Sequence, residues 1–357
     1  MSSELEQRLE GLLAEAPEPD PGAEEEALHR ALRALHPGAP ARRGLRTAVL
    51  VFAAAAVLLG IAAGSLAAAG ALHVSFGHKA KPRPATTQLV LPKGANGVAA
   101  IIDGRLSVVT TGGFRLQGLP VTSAALSPHA LFVAAGIGQS LVALKPSGRQ
   151  AWSHPARGTV VAIAWAPFGN RIAYIVRIGH RFALHVIWGD GTHDTPIDRR
   201  VRAVRPSWRA DSLAFAYVGA GGKAIVYDVG HRNRSILAVR APVTGVAFAP
   251  TGDSVAVEQL DGVWVLHQSS AAKIQGHVDA FGWLSGRLAD VVPGQGFVLV
   301  RLYASSGVSR GSFRAQGNAV TVTPKIVVLR RGRNLVAGRT TLLTIPSRST
   351  VQMLEIG

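Results

Sequence analysis

The chain of 357 residues contains no cysteine, which removes disulfides, thiolate nucleophiles, iron–sulfur clusters and cysteine-based zinc sites. Compartment stays open, because a disulfide-free protein is allowed in any of them. Carboxylates are scarce over most of the length: residues 73–357 carry twelve Asp and Glu against thirty-two Lys and Arg. A metal-dependent hydrolase or lactonase would need clustered Glu, Asp and Asn ligands for its metal, and so few carboxylates argue against one. The twelve histidines include no H-E-x-x-H and no i, i+4 pair, so helical zinc sites are excluded too. These absences together predict no enzyme, no cofactor and no metal site.

Charge is plentiful but one-sided. The formal net charge is +17, although residues 1–46 hold nine acidic and six basic side chains. The excess of base therefore belongs to the C-terminal part and favours anionic partners such as acidic cell-envelope material. The arginines are dispersed rather than clustered, which fits ordinary solvated faces equally well. Nucleic-acid binding would need bases interleaved with exposed aromatics on one face. Here the aromatics are expected inside strands, and no nucleic acid is predicted as a partner.

Residues 1–46 read as an acidic tail of two short helices. Ser3 and Glu6 have capping-box spacing ahead of Leu5, Leu9, Leu12 and Leu13. Asp20-Pro21 opens a second helix with the stripe Leu28, Leu32, Leu35, and Pro37-Gly38 closes it. A run without charge then opens at Thr47 and closes at Leu72, twenty-six residues in all. At about 1.5 Å per residue it more than spans a bilayer core of about 30 Å. A cleaved signal peptide is the competing reading, with Ala67-Ala68-Ala69 as the cleavage site, but the run is long for a signal core. Arg42, Arg43 and Arg46 at its edge favour a cytoplasmic N-terminus and an extracytoplasmic C-terminal part. Residues 73–86 form a basic, proline-containing linker.

Forty glycines and twenty prolines indicate many turns, and a repeat accounts for them. Similar segments begin at Ser123 (SAALSPHALFVAAG), Ala162 (AIAWAPFGNRIAYI), Arg205 (RPSWRADSLAFAYV) and Thr244 (TGVAFAPTGDSVAV). Weaker copies start at Asp279 and Ala319, and a further unit fits upstream, with VLP at 90–92, GVAAII at 97–102 and GRLSVV at 104–109. Their anchors Leu126, Trp165, Trp208, Phe248, Trp283 and Val322 are 39, 43, 40, 35 and 39 residues apart. Each unit reads as an apolar strand, a polar turn, a second and a third apolar strand, and a variable fourth. No helical stripe interrupts residues 87–357. Four short strands in about forty residues, repeated, predict an all-β propeller of four-stranded blades over 87–357, with seven blades by the count of units and six as the alternative. Three tryptophans at one position of the first strand are expected to pack between blades.

The segments WAPFGNRIAY, FAPTGDSVAV and LSPHALFVAA resemble the WD40-like repeats of TolB-type proteins, W/F-S-P-D-G-x-x-L/I-A-F/Y. SWRADSLAFA departs by a deletion and a missing proline. The Gly-His and Trp-Asp signatures of true WD40 repeats are absent, with Val226-Tyr227-Asp228 the nearest approach. The resemblance covers about 270 residues and implies a bacterial propeller; it leaves function to sites grafted on the scaffold.

Three motifs carry weak hints of chemistry. Gly307-Val308-Ser309-Arg310-Gly311 has the letters of a nucleophile elbow but lacks the strand-to-helix setting and a following histidine. Asp190-Gly191-Thr192-His193-Asp194 gathers two carboxylates and an imidazole, and reads as a hairpin tip. Gly219 to Lys223 reads as a turn rather than a phosphate loop. No catalytic, cofactor or metal residue is assigned, and the binding residues are unknown from sequence. The expected function is a membrane-tethered extracytoplasmic module that binds, scaffolds or senses a protein or an anionic cell-envelope ligand. A signalling variant resembling transmembrane anti-sigma factors, with residues 1–46 holding a cytoplasmic regulator, is the alternative, although the zinc-binding motif of that type is missing. A hydrolase ranks below both.

Overall fold

A computed structural model describes residues 89–111, 115–145, 148–239, 242–267, 270–275 and 278–356. The expectations for the acidic tail, the apolar run from Thr47 to Leu72 and the linker fall outside these residues. Among the described residues no helix is long and apolar enough to cross a membrane.

The described residues form seven four-stranded antiparallel sheets. Six are simple meanders that follow the chain, and they are numbered here as blades 2 to 7. Their first strands are Ser123–Leu126, Thr159–Trp165, Ser207–Trp208, Val243–Phe248, Ala280–Leu284 and Asn318–Val322. The remaining sheet, blade 1, is assembled from both ends of the domain. Gly97–Ile102, Arg105–Thr110 and Arg115–Pro120 supply three strands, and Val351–Ile356 pairs antiparallel with the first of them. The first strands of blades 2 to 7 and Val351–Ile356 touch one another in cyclic order, so they form the inner wall of a closed ring. The protein is therefore a seven-bladed β-propeller, and the six-bladed alternative is corrected. The strand that completes the ring, Val351–Ile356, has no Pro-turn signature and could not be recognised as a repeat.

The apolar pattern explains the closure. Successive side chains of a strand point to opposite faces, and here both faces are covered. Val98 and Ala100 join Val328, Leu335 and Leu343 of blade 7, whereas Ala99 and Ile101 join Ala124, Leu126 and Val133 of blade 2. The same holds around the ring, where each of seven hydrophobic clusters spans one seam between adjacent blades. A single blade would leave both faces wet, which is why the sequence is so uniformly apolar within strands and why stability belongs to the seams.

The anchors do what the repeat implies. Leu126, Trp165, Trp208, Phe248 and Val322 each end an inner strand, and Trp283 is one residue from its end. Trp208 Nε1 donates to the Ala164 carbonyl at 3.0 Å, and Trp283 Nε1 donates to the Ala247 carbonyl at 3.0 Å. Both bonds cross a seam. Trp165 differs: its Nε1 donates to Gly169 of its own turn at 2.9 Å, while its ring stacks on Phe132 of blade 2.

Candidate functional site at the channel mouth

Strands of a meander alternate in direction, so the turns after the inner strands share one face of the ring, and the turns between second and third strands share the other. On the first face the inner strands end around a cavity of about 580 Å3. Its wall is aromatic and proline-rich, with Trp165, Trp208, Phe248, Phe281 and Trp283 among its residues. Such rigid apolar walls with few polar groups suit recognition.

One polar tie crosses this cavity. Arg205 Nη2 lies 2.9 Å from Glu355 Oε1, and its Nε donates to the Ile163 carbonyl at 2.9 Å. Glu355 Oε2 also accepts the Leu126 backbone N–H at 3.0 Å. Glu355 sits on the closing strand, so one carboxylate links blade 1 to blades 2 and 4, and Arg205 carries the link on to blade 3.

Beside the mouth the turns of blades 2, 3 and 4 interlock. The Phe168 N–H donates to Ser212 Oγ at 3.0 Å, and Arg171 Nη1 donates to the Ser212 carbonyl at 3.3 Å. A Cβ placed on Gly169 would stand 3.7 Å from Pro128. Three large apolar side chains ride on these joined turns and point outward: Leu131 at 55%, Phe168 at 72% and Leu213 at 49% exposure. His129, Ala130 and Ser212 in the same turns hold φ of 59°, 56° and 60°, a left-handed region that L-residues occupy at a cost. Exposed apolar side chains carried on linked turns make this rim a candidate contact surface. Phe168 also corrects the expectation that the aromatics lie inside strands; it occupies the turn position where the repeat normally has Asp. Trp188 lies in a strand, Arg181–Trp188, but is 45% exposed at its end.

Comparison with known proteins adds little to this geometry. No family model and no curated protein matches the sequence. Two solved structures of TolB proteins are similar in part. The crystal structure of TolB from Acinetobacter baumannii matches at TM-score 0.44 and 12% identity, over 62% of this chain and 64% of that one. A protein assigned as TolB from Agrobacterium tumefaciens matches at TM-score 0.40 and 16% identity, over 63% of this chain and 91% of that one. Both scores are below 0.5, so the propeller assignment rests on the seven sheets and their cyclic contacts.

The motifs weighed from sequence resolve differently. Gly307 lies in the hairpin turn after Phe297–Tyr303, and Ser309 opens the exposed strand Ser309–Gln316. No helix follows it, so the elbow reading fails. Ala220–Gly222 is a single 3-10 turn between the paired strands Ala214–Val218 and Ala224–Asp228. The hairpin-tip reading holds for Asp190 to His193. Asp190 Oδ1 accepts the Thr192 N–H at 2.9 Å, and His193 stacks on Trp188.

Asp194 does not belong to that tip. It turns into the seam between blades 2 and 3, where its carboxylate accepts the Tyr174 hydroxyl at 2.8 Å. His185 Nδ1 lies 3.1 Å and His154 Nε2 3.4 Å from its Oδ2. Burial alone would raise the Asp194 carboxyl, but hydrogen bonds from His185 and Tyr174 prevail and hold it below the usual range. Burial and the neighbouring Asp194 charge push the Tyr174 hydroxyl far upward, so it stays a proton donor. Sequence spacing could not reveal this group, because His154 comes from the outer strand of one blade and His185 from the third strand of the next. Among the described residues no three His, Asp or Glu side chains converge as metal ligands.

Proposed function

We propose that the propeller is a non-catalytic protein-binding module held at the cell membrane by the apolar run from Thr47 to Leu72, with residues 1–46 inside the cell and the ring outside. The observation that carries the binding reading is the exposure of Leu131 and Leu213 on strained turns, with Phe168 on the turn between them, beside the channel mouth. An apolar arc next to a proline- and aromatic-lined recess suits an apolar segment of a partner protein, with aromatic anchors at its centre. The uncharged run of twenty-six residues supports the tether, and the arginines at its edge support the orientation.

The test is crosslinking in cells that express the full chain, comparing the wild type with the triple variant L131S/F168S/L213S. A partner captured by the wild type and lost by the variant supports the proposal. Identical capture by a variant with an unchanged circular dichroism spectrum overturns it. Reporter fusions at both ends test the topology, and a pull-down with the tail tests whether residues 1–46 hold a cytoplasmic regulator.

A further inference from the structure

The opposite face of the ring holds a second, chemically different recess. Between blades 2 and 3 lies a cavity of about 850 Å3. Its lining includes Arg157, Arg181, Arg199, His154, His185 and Asp194. Topology explains the gathering. Arg157 lies in the crossing from blade 2 to blade 3, Arg181 opens the third strand of blade 3, and Arg199 lies in the crossing from blade 3 to blade 4. These crossings and second-to-third turns all lie on the face away from the apolar arc.

Charge in this recess is not balanced. The one carboxylate, Asp194, is already engaged by Tyr174, His185 and His154. The three guanidinium groups are exposed, and among the described residues they have no carboxylate partner. Arg157 is moreover held at φ 55°, in the region disfavoured for a side chain. It is followed by Gly158, where a Cβ would stand 2.5 Å from the Arg177 carbonyl. The chain thus takes a strained, closely packed path at the point where it delivers an unpaired arginine to the rim. Guanidinium groups fit phosphate and carboxylate by paired N–H donors, and a recess of this volume admits a small organic molecule.

We propose that this recess binds a polyvalent oxyanion ligand, with Arg157, Arg181 and Arg199 as its anion contacts and His154 and His185, fixed by Asp194 with the buried Tyr174 hydroxyl behind it, as the wall that orients it. The site stands apart from the apolar arc, and neither depends on the other.

Calorimetric titration of the full chain with pyrophosphate, and separately with citrate, at constant ionic strength tests the proposal. The wild type is expected to bind one equivalent, and R157A/R181A/R199A to lose affinity at least about tenfold, as loss of charged hydrogen bonds implies. The control R310A/R339A/R348A removes the same charge from exposed arginines elsewhere on the ring and should keep its affinity. Tighter binding of pyrophosphate assigns phosphate as the group read, and tighter binding of citrate assigns carboxylate; either supports the site. L131S/F168S/L213S should titrate like the wild type. No binding by the wild type, or equal losses in the two arginine variants, overturns the proposal, the latter by showing general attraction to a basic chain.

Discussion

Replacing Trp208 by Phe tests the idea that stability resides in the seams between blades. The Trp208 indole is 7% exposed, donates to the Ala164 carbonyl across the seam at 3.0 Å, and packs on Phe215 at 4.8 Å between ring centres. The substitution leaves a buried carbonyl of blade 3 without its donor, which costs about 1–3 kcal/mol. The smaller ring also leaves a void, adding on the order of 1 kcal/mol at about 24 cal/mol per Å3. The expected loss is about 2–4 kcal/mol, and at roughly 2–4 °C per kcal/mol for a domain of this size the melting midpoint should fall by about 5–15 °C. Trp165→Phe should cost less, because its indole bonds to Gly169 within its own turn and that turn can relax. Trp188→Phe, at a residue 45% exposed, should shift stability by less than about 0.5 kcal/mol. Melting followed by circular dichroism ranks the three. Equal, small shifts for Trp208 and Trp188 would refute the idea that the seams carry the fold.

Further outcomes follow from single sites. Asp290 is fully buried and gripped by Arg301 through Nε at 2.9 Å and through Nη2; Asp290→Ala removes this buried carboxylate and its two charged hydrogen bonds and should cost about 2–3 kcal/mol in urea unfolding, below the fully buried case because Arg301 still reaches water. Asp194→Asn should flatten the acid limb of stability. Because the folded Asp194 carboxyl sits below its usual range, its contribution is complete above the ordinary pKa of about 4 and fades as pH falls through the lowered native value. Urea midpoints at pH 6 and pH 3 should therefore differ less in the variant than in the wild type. Gly191 holds φ 83°, and a Cβ there would stand 2.6 Å from the Trp152 ring; Gly191→Ala should cost about 2–3 kcal/mol, combining backbone strain with overpacking. Gly138→Ala, at φ 59° with open space around it, should show the backbone part alone, about 1 kcal/mol.

The ring was legible because a blade must bury both faces against its neighbours. That requirement wrote strands such as Val133–Ile137 and Ala214–Val218 as apolar runs broken by turns at regular intervals, with one bulky anchor per unit. The closing strand was not legible, because Val351–Ile356 copies none of the repeat segments and carries Glu355 between the apolar Leu354 and Ile356. That carboxylate makes sense only once Arg205 and the Leu126 N–H are brought to it from two other blades. The two candidate sites escaped for related reasons. Phe168 and Leu213 looked like members of strand cores, and their turn positions, where the repeat favours polar residues, were the available signal. Asp194 looked like the end of a hairpin tip, and the histidines and arginines around it come from separate strands and crossings of blades 2 and 3, so no linear spacing encodes the cluster.

The most direct measurement of ring closure uses the absence of native cysteine. Ala100 and Leu354 are cross-strand partners in blade 1, 254 residues apart in the chain. Directly opposed residues of an antiparallel pair have Cβ atoms about 4.5–5.5 Å apart, close enough for a disulfide after small adjustment. The double variant A100C/L354C should form an intramolecular disulfide on mild oxidation, yield one crosslinked peptide by mass spectrometry, and melt at a higher temperature than its reduced form. Two thiols that stay free in the folded chain, and react with maleimide as fast as in urea, would contradict a ring closed by its C-terminal strand.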